Sequence, residues 1–167
     1  MILYEMFNPE SLDSDKLDTA LLDCCRAVVK GKQDNPEHFG MVGACVIDPK
    51  NRKVIGVNEP ADDGTRQHAE RVAIDRYLNE YGDLPDGSII VTTLSPCNEP
   101  MAERHGSSCK DLINQYGISK VYCGYIDPTQ DNTESAEFET TETKNTKLRE
   151  LCKQFADTFL QDTKDES

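Results

Sequence analysis

The sequence predicts an α/β fold of three layers, α/β/α, in which helices cover both faces of a mixed sheet of about five strands. Three observations carry this. Short apolar runs alternate along the chain with segments of helical periodicity. Between residues 88 and 126 a strand, a short helix and a second strand form a βαβ unit, so those two strands run parallel. Two further runs flank the turn Asp48-Pro49-Lys50-Asn51 and read as a hairpin, which supplies antiparallel neighbours. With 167 residues, 29% charged and 37% apolar, the chain can build one good core, and a single domain over 1–167 is expected.

Residues 1–14 read as an N-terminal segment without the basic start and apolar centre of a secretory signal. Over 15–30, Leu17, Ala20, Leu21, Cys24, Ala27 and Val28 recur in a three-and-four rhythm that predicts an amphipathic helix. Gly31 and Asn35-Pro36 are expected to break it. The nearly continuous apolar run 41–47 predicts a buried strand, and 53–58 its return. Residues 59–66, with Pro60 and Gly64, read as a loop. Ala69, Val72, Ala73, Tyr77 and Leu78 predict a helix over 68–81 that Gly82 ends. A second buried strand follows at 88–94, a short helix at 109–116 stopped by Gly117, and a third strand at 120–126 ended by Asp127-Pro128. The segment 127–145 is an acidic, Thr-rich loop with a brief strand expected at 138–141. Leu148, Leu151, Cys152, Phe155, Ala156, Phe159 and Leu160 predict a last helix over 146–160, and 161–167 reads as a frayed tail.

Charge and cysteine content restrict the partners. There are 31 acidic against 18 basic residues, a net charge of −13. Long-range steering at that charge repels RNA and DNA, and the sequence has no basic stripe to grip a phosphate backbone. A small-molecule substrate is therefore favoured; Arg66, Arg71, Arg104 or Lys110 would suffice locally for a single phosphate. No apolar run approaches the ~20 residues that span a bilayer, so no membrane partner is expected. Of seven cysteines, Cys24, Cys25, Cys45, Cys123 and Cys152 lie in apolar patterns and read as small buried side chains in a reducing, cytoplasmic setting.

The remaining two cysteines, Cys97 and Cys109, stand downstream of His68-Ala69-Glu70. A catalytic zinc takes three protein ligands and keeps its fourth position for water. His68, Cys97 and Cys109 can fill the three positions, which leaves Glu70 to move protons between that water and a substrate. His-x-Glu followed by Pro-Cys and a second Cys is the pattern of hydrolases that remove amino groups from heterocyclic bases. Within a helix the His and Glu side chains would lie about 200° apart, so they would border one pocket at the helix end without sharing a face. The pattern usually has two residues between the cysteines; here residues 98–108 intervene, and a loop must leave the metal and return. His105 lies in that loop and rivals Cys109 as a ligand. Cys109 is preferred because it opens a helix after a strand and loop; His105 is then a substrate-facing residue or an ordinary loop histidine.

The segments 65–74, 91–97 and 117–128 resemble the first motif, the strand before the second motif and the following strand of the cytidine-deaminase-like superfamily. The similarity is greatest to the riboflavin-pathway pyrimidine deaminases, which also carry a long insertion between their cysteines, and to the tRNA-adenosine deaminases. Ser95 replaces a common Glu. The resemblance implies the fold of that superfamily, a zinc cofactor, and hydrolytic deamination of a free pyrimidine-type base, nucleoside or nucleotide. It also implies substrate contacts from Asn58 and from the backbone N–H of Ala69, and assembly into homo-oligomers. Two alternatives stay open: a nucleic-acid deaminase acting on tRNA or single-stranded DNA, and a non-catalytic zinc protein closed by His105 as a fourth ligand.

Overall fold

The computed structural model describes residues 9–34, 41–60, 66–96, 109–127 and 138–165. In chain order the elements are α1 (Pro9–Asp34), β1 (Gly43–Ile47), β2 (Lys53–Val57), β3 (Glu59–Pro60), β4 (Arg66–Gln67), α2 (Ala69–Tyr81), β5 (Ile89–Leu94), α3 (Cys109–Gln115), β6 (Lys120–Tyr125), β7 (Glu139–Glu142) and α4 (Thr146–Asp165). Five strands form one mixed sheet in the order β2-β1-β5-β6-β7. β1 is antiparallel to both β2 and β5, whereas β5, β6 and β7 run parallel. This is the three-layer architecture expected from the alternating pattern.

Alternation along the central strands sorts the core into two layers. Cys45, Ile47, Val91 and Tyr122 meet Leu21, Cys24 and Val28 of α1 and Cys152 and Phe155 of α4. Ala44, Val46, Ile90 and Val121 meet Ala73, Ile74 and Tyr77 of α2 and Leu112 and Ile113 of α3. Because both faces are covered, β1 is buried throughout, as continuous apolar strands of such sheets must be. The five cysteines outside the metal pattern are all buried and free. Burial pushes the Cys123 thiol up to about 12; a hydrogen bond with Cys45, then burial, raises that of Cys24, so these two stay neutral and inert.

Three elements differ from expectation. α1 starts at Pro9 and continues through Gly31 to Asp34. Proline suits a first helical turn, and packing of Leu21, Cys24 and Val28 overrides the weak propensity of Gly31. The stretch read as a loop over 59–66 instead begins and ends in a ribbon, with Glu59 paired to Gln67 and Pro60 to Arg66. α4 continues five residues beyond 160, to Asp165. Among the described residues no helix is long and apolar enough to cross a membrane.

Two contacts fix α2 on the sheet. A Cβ at Gly56 of β2 would fall 2.6 Å from the Ala73 amide nitrogen, so only glycine lets the helix backbone approach this closely. Further along α2, the Tyr77 hydroxyl donates to Asp48 Oδ2 at 2.7 Å. Asp48, which ends β1, also accepts from the Lys50 and Arg52 amides at 2.8 and 3.0 Å and from Arg52 Nε at 2.5 Å. Burial alone would raise the Asp48 pKa; the Tyr77, Arg52 and Lys50 hydrogen bonds outweigh it and hold the carboxyl well below the usual range.

Gly56→Ala should cost about 1–3 kcal/mol in denaturant unfolding as α2 is pushed off β2. Asp48→Asn should lower the thermal midpoint at neutral pH. Because the folded-state pKa is depressed, the stabilisation by Asp48 is complete above the unfolded-state value of about 3.9 and is lost as pH falls toward the folded value. The gap between wild type and Asp48→Asn should therefore be widest from pH 5 to 7 and shrink below about pH 4.

Candidate active site

α2 begins immediately after His68, whose φ of −70° and ψ of 151° are extended. His68 is thus the residue before the helix, and its carbonyl accepts the Val72 amide at 3.0 Å. The 200° separation expected for two helical positions does not apply. The chain reaches His68 through the β3–β4 ribbon, and continuing its register by one step sets Asn58 opposite His68. Ala69 and Glu70 then enter the first turn and are buried, Ala69 fully and Glu70 to 3% exposure. An acid in this turn is favoured by the helix dipole.

The Glu70 carboxylate meets the sheet at β5. Thr92, fully buried, has its hydroxyl oxygen 3.2 Å from Glu70 Oε1 and 2.8 Å from the Leu94 carbonyl oxygen. A hydroxyl can donate to a carboxylate or accept from a carboxylic acid, so this partner tolerates both states of a proton-carrying group. Past Leu94, the Ser95 amide donates to the Tyr125 carbonyl at 3.0 Å and the Ser95 hydroxyl accepts the Asp127 amide at 2.9 Å. These bonds lock the carboxyl ends of β5 and β6 together just before Pro96 and Cys97. Parallel α/β sheets place their ligand sites outside the carboxyl ends of strands.

Asn58 is buried and forms a reciprocal pair with Val42: its amide donates to the Val42 carbonyl and its Oδ1 accepts the Val42 amide, both at 3.2 Å. Half of the side chain therefore secures the segment entering β1. Cys109 is the first residue of α3, and α3 contacts α2. Cys97 and His105 lie outside the described residues. Among the described residues no three His, Cys, Asp or Glu side chains gather as a metal site. The donor set of one imidazole and two thiolates nevertheless suits zinc in its chemistry, and His68 offers an extended backbone beside a buried carboxylate.

Sequence reasoning missed Thr92 and the clasp at Ser95. In Ile89-Ile90-Val91-Thr92-Thr93-Leu94 the threonines pass as ordinary β-branched strand formers. The available signal was a pair of hydroxyls in a run predicted to be fully buried, where each needs a partner.

Residues 15–125 match the family model of the cytidine and deoxycytidylate deaminase zinc-binding region. The chain belongs to this family. The matched span runs from α1 to the end of β6 and contains every candidate site residue. Among solved structures, a diaminohydroxyphosphoribosylaminopyrimidine deaminase/5-amino-6-(5-phosphoribosylamino)uracil reductase from Thermotoga maritima is 25% identical, with a TM-score of 0.64 over 86% of this chain and 41% of that one. Two Acinetobacter baumannii RibD structures are likewise covered to only 39% and 40% of their length, so this deaminase-family chain spans about two fifths of these relatives. A dCMP deaminase from cyanophage S-TIM5, solved with dCMP and dUMP, shares the fold at 21% identity and a TM-score of 0.52, covering 81% of this chain and 98% of that one. A search of curated proteins by sequence returns no match.

Asn58→Ala leaves the Val42 amide unpaired, and the deaminase-family fold should lose about 1–3 kcal/mol in denaturant unfolding.

Proposed function

We propose that this chain is a zinc-dependent hydrolytic deaminase that exchanges an exocyclic amine for oxygen on a free pyrimidine-type base, nucleoside or nucleotide. The observation that carries the reading is the buried carboxylate of Glu70, held in the first turn of α2 two residues after an extended His68. A carboxylate this buried is costly to keep without a duty.

His68, Cys97 and Cys109 would hold the metal. When bound, zinc supplies an acidified water, with a pKa brought from ~15.7 toward ~7, and stabilises negative charge that develops in the reaction. Glu70 takes a proton from the attacking water and passes it to the ring nitrogen. It carries the second proton to the departing amine, which leaves as ammonia. The Ala69 backbone N–H and the half of the Asn58 amide not used by Val42 orient the ring, and His105 faces the substrate from the insertion. The net charge of −13 supports a small substrate over tRNA or single-stranded DNA. The name of the 25%-identical Thermotoga maritima protein brings an aminopyrimidine ribotide into the set to be tested.

The test is zinc content together with ammonia release from cytosine, cytidine, dCMP, adenosine, guanine, an aminopyrimidine ribotide and single-stranded DNA. One zinc per chain is expected, with turnover of one small substrate. Glu70→Gln should keep the zinc and lose turnover by 10³-fold or more, taking proton transfer at about 10²–10⁴-fold. Zinc loss in His105→Ala with no turnover of any compound would instead establish a closed, non-catalytic site. Turnover of single-stranded DNA alone would establish the nucleic-acid reading.

A further inference from the structure

We infer that Thr92 is a positioning residue for deamination: its hydroxyl holds the Glu70 carboxylate in one orientation. The inference rests on the reading of Glu70 as the proton carrier.

Thr92 lies at the middle of the sheet, with Ala44 of β1 opposite it on one side and Cys123 of β6 on the other. Its neighbours in the same row of β5, Ile90 and Leu94, both belong to the apolar layer against α2. Valine has nearly the same shape and would suit that layer better, because a buried hydroxyl loses hydration and must recover it through hydrogen bonds. The bond to the Leu94 carbonyl, at 2.8 Å, is local and recovers part of this cost. The second contact, to Glu70 Oε1 at 3.2 Å, reaches from the sheet to the helix layer and touches the group the reaction depends on. That distance is long for a hydroxyl–carboxylate bond, and such bonds tighten when an active site is loaded.

A carboxylate in the first helical turn can rotate about its terminal torsion, which is broad and roughly two-fold. A hydroxyl donated to Oε1 from the rigid centre of the sheet restricts that rotation. Groups that orient a reacting side chain in this way are worth about 10–100-fold in activity.

The test uses the full chain loaded with zinc, as wild type, Thr92→Val, Thr92→Ser and Glu70→Gln. Kinetics are followed by ammonia release from whichever of dCMP, cytidine or the aminopyrimidine ribotide turns over. Crystal structures of wild type and Thr92→Val give the Glu70 orientation without any substrate. Thr92→Val is expected to keep its zinc and its melting temperature, to lose kcat by about 10–100-fold with KM changed less than about two-fold, and to show Glu70 rotated or split between two orientations. Thr92→Ser should restore kcat and the single orientation. An unchanged kcat in Thr92→Val beside an inactive Glu70→Gln would overturn the role of Thr92 and leave the deaminase reading standing. Full activity in Glu70→Gln would remove that reading and this inference together. Loss of zinc in Thr92→Val, or failure of serine to restore turnover, would assign Thr92 to the fold alone. If none of the three compounds turns over, the crystal structures decide: Glu70 in the same place without the hydroxyl ends the proposal.

Discussion

The seating of α2 on the sheet is the constraint on which the site depends. Gly56 lets the backbone at Ala73 come within a distance that no side chain would permit. With the helix axis so close to β2 and β1, its first turn is driven into the protein, and Ala69 and Glu70 become buried. His68 escapes this because it precedes the helix in an extended conformation. One short segment thus delivers a half-buried His68 and a buried carboxylate to the same end of the sheet. The β3–β4 ribbon, only two residues on each side, fixes the direction from which the chain arrives.

α2 carries a buried carboxylate contact toward each end, and the two differ in their partners. At the Tyr77 end, Asp48 accepts from two amides, a guanidinium and a phenol. So many donors commit it to the ionised form, which serves as a fixed anchor. At the first turn, Glu70 meets the hydroxyl of Thr92, a partner that can donate or accept. The opposite layer is different: α1 and α4 fill it with apolar side chains and with buried thiols such as Cys24.

Periodicity made the architecture legible because the two patterns are distinct here. β1 is a continuous apolar run and β5 and β6 are largely buried, as strands covered on both faces must be, and α1, α2 and α4 carry stripes. The ends were less legible. Gly31 reads as a breaker only until the packing of α1 is known, and the β3–β4 ribbon is too short to leave a pattern. For the site, the proposal for His68, Glu70, Cys97 and Cys109 rests on residue types and order, since metal ligands are few in kind. Their support could not be read in this way. Ser95 gripping the Asp127 amide and Thr92 facing Glu70 depend on which strand ends up beside which, and threonine and serine look alike whether they hold a reactive group or merely fill a strand.

The distribution of charge bears on what can reach this site. Asp48, Glu70 and Asp127 are the buried acids among the residues whose burial is described. Many of the cations that might have offset the acidic excess are already engaged: Arg26 and Lys53 with Asp23, Lys30 with Asp34, Arg149 with Glu142 and Lys153 with Asp157. Surface pairs of this kind add little stability, but they cancel the positive potential that a phosphate backbone would need. A polyanion gains affinity by releasing counterions at many phosphates at once, and here it would meet repulsion at most of them. A small substrate with one phosphate asks much less. A single cation is enough for that contact.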